Sequence, residues 1–389
     1  MRTVQDSVWA DGQAGATIDA PDDLETPCLV VDRTRLERNL SEMYKFSREQ
    51  GIELYPHFKT HRTREIADLQ SQYSDGFCIA KLGEAERLTE WGFTNFVMAY
   101  PLVGQSKIDR AKSILRTGAS LLLSADSLSA ARALSASMAA DGLTADLLII
   151  VDTGFHREGI GPDEVLGFAR ALRDEPGVRL RGLLTHEGHA NAFTADEGDH
   201  SMAQDAGLMM ARLADELRSD GIAVDVVSVG STGTARLIGQ VGGITQLRPG
   251  IYPFNDYGQL IRGTATLQTC AARVFATVVS HAAPDRALID AGSKTLGQDM
   301  LSIWWGDGGS GGHGLLVDLP GWELHAVSEE HGWLRWAGEG GPGPLDVGRR
   351  IQILPNHICS VFHVLGESII VDDGVVIGRW ISAARGESR

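Results

Sequence analysis

Cysteine, positive charge and long apolar runs are all scarce in this chain, and each scarcity excludes something. Only four cysteines occur in 389 residues, and Cys28, Cys78, Cys270 and Cys359 are scattered rather than spaced as a framework. That argues against a disulfide scaffold and fits a reducing, cytoplasmic setting. Thirty-five Lys and Arg stand against 51 Asp and Glu, a formal charge of -16, and no basic stretch offers a surface to track phosphates. A nucleic-acid partner is therefore excluded, while a local anion site made of backbone amides stays open. No run approaches the roughly 18 apolar residues that a membrane span needs. The opening MRTVQDSVWADGQAGATIDAPDD has no apolar core and so reads as no secretory signal.

What is present is ordinary for a globular protein: 43% hydrophobic and 22% charged residues. The length suggests two domains, or one α/β barrel with an appendage. From about residue 50 to 255, apolar runs alternate with helical segments. The strand candidates are IELYPHFK, GFCIAK, NFVMAY, SLLLSAD, ADLLIIVDTG, VRLRGLLTHEGH, VDVVSVGSTGT and ITQLRPGIY. Between them lie stretches such as GEAERLTEWG, DSLSAARALSASMAADG, GPDEVLGFARALRDE and SMAQDAGLMMARLADELRSDG, with apolar residues at three- and four-residue spacing. Near-continuous apolar strands joined by helices imply a parallel sheet buried on both faces, and eight units close a (β/α)8 TIM-type barrel. An open doubly wound sheet would need a glycine fingerprint after its first strand, and none is there.

The texture changes after about residue 265. LQTCAARVFATVVSH, RALIDAG, WELHAVSEEHGWLRWAG, RIQILPNHICSVFHV and SIIVDDGVVIGRWIS read as β-rich, with no long amphipathic helix. Asp373-Gly374 between apolar runs signals a tight hairpin. Six of the eight tryptophans fall here, suggesting a separate apolar core. The glycine-rich GDGGSGGHG (306–314) reads as a surface loop. The expected organisation is a barrel over 27–264 and a β-rich domain over 265–389, with residues 1–26 packing on the latter and TPCLVVD (26–32) joining it.

In a parallel barrel, chemistry collects at the C-terminal strand ends. Those ends carry Lys59 between His57 and His61, then Asp152 and Arg157 in VDTGFHREG, and His186 and His189 in THEGH. Ser231-Thr232-Gly233-Thr234 and Arg248-Pro249-Gly250-Ile251-Tyr252 complete the set. Singly, each has a mundane reading: a solvated lysine, a satisfied polar histidine, a helix cap, a turn. Together, a lysine, several histidines, two arginines and two amide-rich turns suit an anionic aldehyde cofactor. That combination reads as pyridoxal phosphate held by a lysine as a Schiff base.

In order, PHFKTH, DTGFHREG, THEGH, GSTGT, RPGIY, DAGSK, SEEHGW and PNHIC resemble the family of D-threonine aldolases and eukaryotic-type D-serine dehydratases. These are pyridoxal-phosphate enzymes of the alanine-racemase-like fold, and the likeness runs from about residue 25 to the end. It implies that Lys59 carries the cofactor, that His186 stacks near the pyridine ring and that Arg248 faces the ring nitrogen. It places Arg157 by the phenolic oxygen. The phosphate falls to Ser231 or Thr232 and the amides of Gly250 and Ile251, within the turns that also hold Gly233, Thr234 and Tyr252. His57 and His189 are the acid–base candidates.

PNHIC adds a second element. On an extended segment His357 and Cys359 project from one face and could share a metal, although a buried cysteine beside a capping histidine looks the same. In the resembled family this position supplies the two protein ligands of a divalent metal. Thiol plus imidazole favours zinc over manganese or magnesium. Cysteine at the second position leans toward dehydratase, whereas family aldolases often carry an acidic residue there. The sequence departs from the family after PNHIC, continuing SVFHV.

The implied activity is a metal-assisted lyase of D-configured β-hydroxy-α-amino acids, of D-serine or D-threonine dehydratase type, with D-threonine aldolase as the alternative. A racemase of this fold takes a tyrosine base from the partner's C-terminal domain. All six tyrosines precede residue 258, so a domain beginning at 265 has none to lend. A cofactor carrier built on the barrel alone would leave the β-rich part without a role. The fold also implies a homodimer.

Overall fold

The computed structural model describes residues 16–191, 198–301 and 312–389. The chain divides into two units: one takes residues up to Leu40, Thr63–Glu65 and Ile251–Arg385, the other Ser41–Arg62, Ile66–Gly250 and Gly386–Arg389.

Strand β1 (Cys28–Asp32) is followed by the helix Arg33–Glu49, and the barrel unit then supplies eight strands. They are β2 (Glu53–Leu54), β3 (Phe77–Ile79), β4 (Asn95–Met98), β5 (Ser120–Ala125), β6 (Ala145–Ile150), β7 (Val178–Leu184), β8 (Val226–Val229) and β9 (Gln246–Leu247). All pair in parallel, in the order β2-β9-β8-β7-β6-β5-β4-β3. A bridge between His57 and Cys78, with the Cys78 amide donating to the Pro56 carbonyl at 2.9 Å, joins the two ends of that path. The expected parallel barrel is present, and each of the eight apolar runs supplies one strand.

Burial explains why the runs read as continuous. Every residue of β3 is buried, as are five of the six in β6. Inside, Tyr55, Cys78, Val97, Leu148, Ile150 and Leu184 form one cluster, with Asn95 donating to the Tyr55 hydroxyl at 2.8 Å. Gly182 allows β7 and β8 to close up, since a Cβ there would lie 1.8 Å from the Val226 carbonyl oxygen. Outside, the helix Leu128–Ala140 shows the amphipathic logic. Ser127 caps it, and Ala131, Leu134, Ser135 and Met138 face inward at helical spacing. Burying one such leucine contributes about 1.5–3 kcal/mol, so Leu134→Asp would strip that helix from the barrel.

The other unit adds β10 (Ala272–Ala283), β11 (Arg286–Ile289), β12 (Gly314–Leu316), β13 (Trp322–Val327) and β14 (Gly332–Trp336). It ends with β15 (Arg350–Pro355), β16 (Glu367–Asp372) and β17 (Val375–Ile381). The sheet runs β13-β14-β11-β10-β1-β16-β17, and β15 pairs with β10 and β12. As expected, TPCLVVD belongs here: β1 lies antiparallel to β10 and parallel to β16. The Asp373-Gly374 hairpin also forms, with φ of +45° and +76° at its two central residues.

One expectation needs correction. PNHICSVFHV is not all extended: β15 stops at Pro355 and Ile358–Leu365 is a helix, closed by Gly366 in the left-handed region. Ile358, Val361 and Phe362 are its buried face, a three-and-four spacing that β-branched residues disguise as strand. The expected separate apolar core is present, although the tryptophans do not build it. Trp322 alone is buried among its described tryptophans, and Trp333 is 46% exposed. The core is aliphatic instead: Leu267, Leu301, Leu315, Val317 and Leu354 in one cluster, Ile18, Val30, Ile369 and Val371 around Phe275 in another. The glycine-rich stretch lies mostly outside the described residues, which resume at Gly312.

Candidate active site

Lys59 stands on a single 3-10 turn, Phe58–Thr60, two residues beyond the bridge that closes the barrel. Phe58 and Thr60 on either side are buried and anchor the turn, while Lys59 itself is exposed. A lysine presented this way is accessible to an aldehyde without paying the desolvation of a buried ammonium.

Its two histidine neighbours differ. His61 is 1% exposed, set edge-on to Phe58 at 5.3 Å, with Nε2 3.3 Å from Gln70. It is a packed structural residue. The His57 Nδ1 is buried with no partner among the described protein atoms. Burial first, then the charges of Lys59 and Arg248, hold the His57 pKa well below its ordinary value. His186 is also held well down, by burial and then by Arg157 and Lys59. His189 is lowered by burial too, and its Nδ1 is likewise buried without a partner. Three neutral imidazoles therefore occupy this rim at neutral pH.

Arg157 and His186 come together through Phe155. The guanidinium lies 5.1 Å from the Phe155 centroid, and that ring meets His186 edge-on at 5.4 Å. Arg157 is exposed and pairs with Glu158 at 2.6 Å. Asp152 builds the loop rather than the chemistry. Its carboxylate accepts the amides of Gly154 at 2.9 Å and His156 at 3.0 Å and pairs with the His156 ring at 2.8 Å.

Arg248 is 4% exposed at the end of β9 and donates to Ser228 Oγ and the Thr185 carbonyl. Burial pulls its pKa down, opposed by Cys78 and Glu187. A fixed, buried cation suits the unprotonated edge of a heterocycle, because guanidinium gives up no proton.

The GSTGT turn is tied internally. Ser231 Oγ lies 3.0 Å from Thr234 Oγ1, and Gly250 donates its amide to Thr232 Oγ1 at 3.2 Å. The turn therefore meets the RPG segment through the very amide expected to face a phosphate. Gly233 lies inside this turn, while Ile251 and the 3%-exposed Tyr252 fall in the other unit. Tyr257 falls there too, also 3% exposed. The second unit therefore does hold tyrosines, and both are buried.

His357 and Cys359 lie within that unit. His357 is the extended residue capping the helix Ile358–Leu365, and Cys359 is that helix's second residue. Nδ1 of His357 is 3.5 Å from the carboxylate of Asp256, which is 1% exposed. Against burial, which pushes it down, Cys359 and Asp256 hold the His357 pKa well above its ordinary value. Asp256 also accepts the amides of Ile358 at 3.1 Å and Gln259 at 3.0 Å. Asp256 stands just before the helix Tyr257–Ile261 as its N-cap, and that cap position is its one local mark in the sequence. Among the described residues, no group of three or more His, Cys, Asp or Glu is placed to hold a metal. Imidazole beside thiol nevertheless fits a borderline-soft divalent ion, and Nδ1 turned to a carboxylate leaves Nε2 for it.

The family models divide the chain in the same sense. The alanine racemase N-terminal domain matches residues 31–257 and a serine dehydratase domain matches 271–371. D-threo-3-hydroxyaspartate dehydratase of Delftia sp. (strain HT23) is 33% identical over 87% of this chain and 91% of its own length. The chain belongs to this family. D-threonine aldolase of an Arthrobacter species is 31% identical, covering 94% of each chain. A solved structure of D-threo-3-hydroxyaspartate dehydratase, a cysteine-to-alanine mutant in the metal-free form, superposes with a TM-score of 0.86 at 30% identity. That match covers 94% of this chain and 99% of the other. Among the described residues, no helix is long and apolar enough to cross a membrane.

Proposed function

We propose that this family member is a pyridoxal-phosphate- and divalent-metal-dependent lyase of D-β-hydroxy-α-amino acids, eliminating the β-hydroxyl to give a 2-oxo acid and ammonia. The observation that carries the reading is Lys59, exposed on its anchored turn beside neutral His57 and His186 and the buried cation of Arg248. The orphaned ring nitrogens of His57 and His189 fit a polar occupant.

Pyridoxal phosphate supplies the electron sink that makes a Cα substituent labile, and a divalent ion, zinc before manganese or magnesium, polarises a β-hydroxyl. Lys59 Nζ would hold the cofactor, and its free amine would be the base placed to take a proton from the substrate's Cα. His186 would pack against the cofactor ring, and Arg248 would face its nitrogen without giving up a proton. Ser231, Thr232 and Gly250 would shape the phosphate end, and Arg157 would serve the phenolic oxygen. His357 and Cys359 hold the ion, with Asp256 orienting the imidazole.

Retro-aldol cleavage to glycine and an aldehyde is the second reading, favoured by the likeness to D-threonine aldolase. There His57 or His189, neutral and able to accept at a ring nitrogen, takes the hydroxyl proton. Incubation with D-threonine decides: 2-oxobutanoate plus ammonia supports the dehydratase, glycine plus acetaldehyde the aldolase. Neither product pair, with cofactor and zinc supplied, would overturn both. The proposal includes a cytoplasmic homodimer, tested by light scattering; a fully active monomer would contradict it.

A further inference from the structure

Glu187, in the middle of THEGH, is fully buried. A carboxylate at zero exposure near an intended anion site is costly unless it does something specific. It accepts the Gly230 amide at 3.2 Å through Oε2 and the Thr234 hydroxyl through Oε1. Thr234 Oγ1 in turn accepts the Ser231 amide at 3.2 Å. A hydroxyl has one hydrogen, and an ionised carboxylate can only accept. Thr234 therefore spends its hydrogen on Glu187 and has none for a phosphate.

We infer that Glu187 is the positioning residue of the phosphate turn, with Thr234 as its brace rather than a phosphate ligand. The carboxylate pins the turn at both ends, Gly230 and Thr234, and so fixes the backbone that carries Ser231 and Thr232. Two motifs on neighbouring strands, THEGH after β7 and GSTGT after β8, become one unit through this side chain. The inference rests on the pyridoxal-phosphate reading above and deepens it: Glu187 sets the preference for the phosphorylated cofactor.

The test is titration of cofactor-stripped protein with pyridoxal phosphate and with pyridoxal, which lacks the phosphate. Glu187→Gln keeps the shape but offers one accepting oxygen in place of two. Losing one charge-assisted hydrogen bond should weaken pyridoxal phosphate by about 10- to 100-fold while leaving pyridoxal little changed. Thr234→Val should do the same, and Thr234→Ser, which keeps the hydroxyl, should restore wild-type discrimination. Equal weakening of both ligands, or no weakening of either, would overturn the positioning role. Wild-type protein that binds neither ligand would instead overturn the cofactor reading on which it rests.

Discussion

Asp256 holds His357 in place from two directions. Its carboxylate stands 3.5 Å from the imidazole Nδ1 and accepts the amide of the next residue, Ile358, at 3.1 Å. Partners of this kind fix a ligand's tautomer and ring orientation, and losing one typically costs 10- to 100-fold in metal affinity. Asp256→Asn should therefore weaken zinc binding by about that factor, measured by competition with a chromophoric chelator. Unchanged zinc affinity would separate Asp256 from the metal.

Metal removal should spare the fold. A structural zinc site is normally closed by four protein ligands, and its loss unfolds the domain. With only His357 and Cys359 assigned as ligands, chelation should abolish turnover while the thermal midpoint and bound cofactor change little. Cys359→Ala should match the chelated protein. Collapse of the midpoint on chelation would make the ion structural.

The thiols should differ in reactivity. Burial pushes Cys78 and Cys270 up to about 11, and Cys28 likewise to about 11, leaving all three protonated at neutral pH. Cys359 is partly buried, as Cys28 is, but it lies beside the His357 imidazole. Iodoacetamide at pH 7.5 followed by mass spectrometry should find Cys359 modified first, with zinc protecting it. Labelling led by any of the other three would contradict this.

Acid should destabilise the stripped protein through His57. In the unfolded chain this imidazole takes a proton near 6.5, but in the fold only well below that. The unfolded state thus binds more protons as pH falls. Stability is fully present above about 6.5 and declines below it, by at most about 1.4 kcal/mol per pH unit for one histidine. His57→Gln should make the midpoint's dependence between pH 6.5 and 5 shallower, with His186 and His189 keeping part of it; an unaltered slope would remove His57 from the account.

How much of this was legible in the sequence varies with the range of the interaction. The eight barrel strands were, because strands buried on both faces keep an apolar run that does not depend on distant partners. The position of Lys59 at or just beyond a strand end is legible too, though not the 3-10 form of the turn that carries it. The helix Ile358–Leu365 escaped because Ile358 and Val361 favour strands on propensity, and the packing of its buried face decides otherwise. Glu187 sits inside THEGH and Asp256 at a helix N-cap, but neither position shows what its carboxylate reaches. A carboxylate that reaches Thr234 from 47 positions away, or Ile358 from 102, is defined only once the chain has folded.

The central claim is that Lys59 carries the cofactor, and borohydride reduction of the holoenzyme followed by peptide mapping tests it most directly. The pyridoxyl group is predicted on the peptide containing Lys59, and Lys59→Ala should abolish the label. A label on Lys81, Lys112 or any other lysine, or none on a protein that binds the cofactor, would contradict the account.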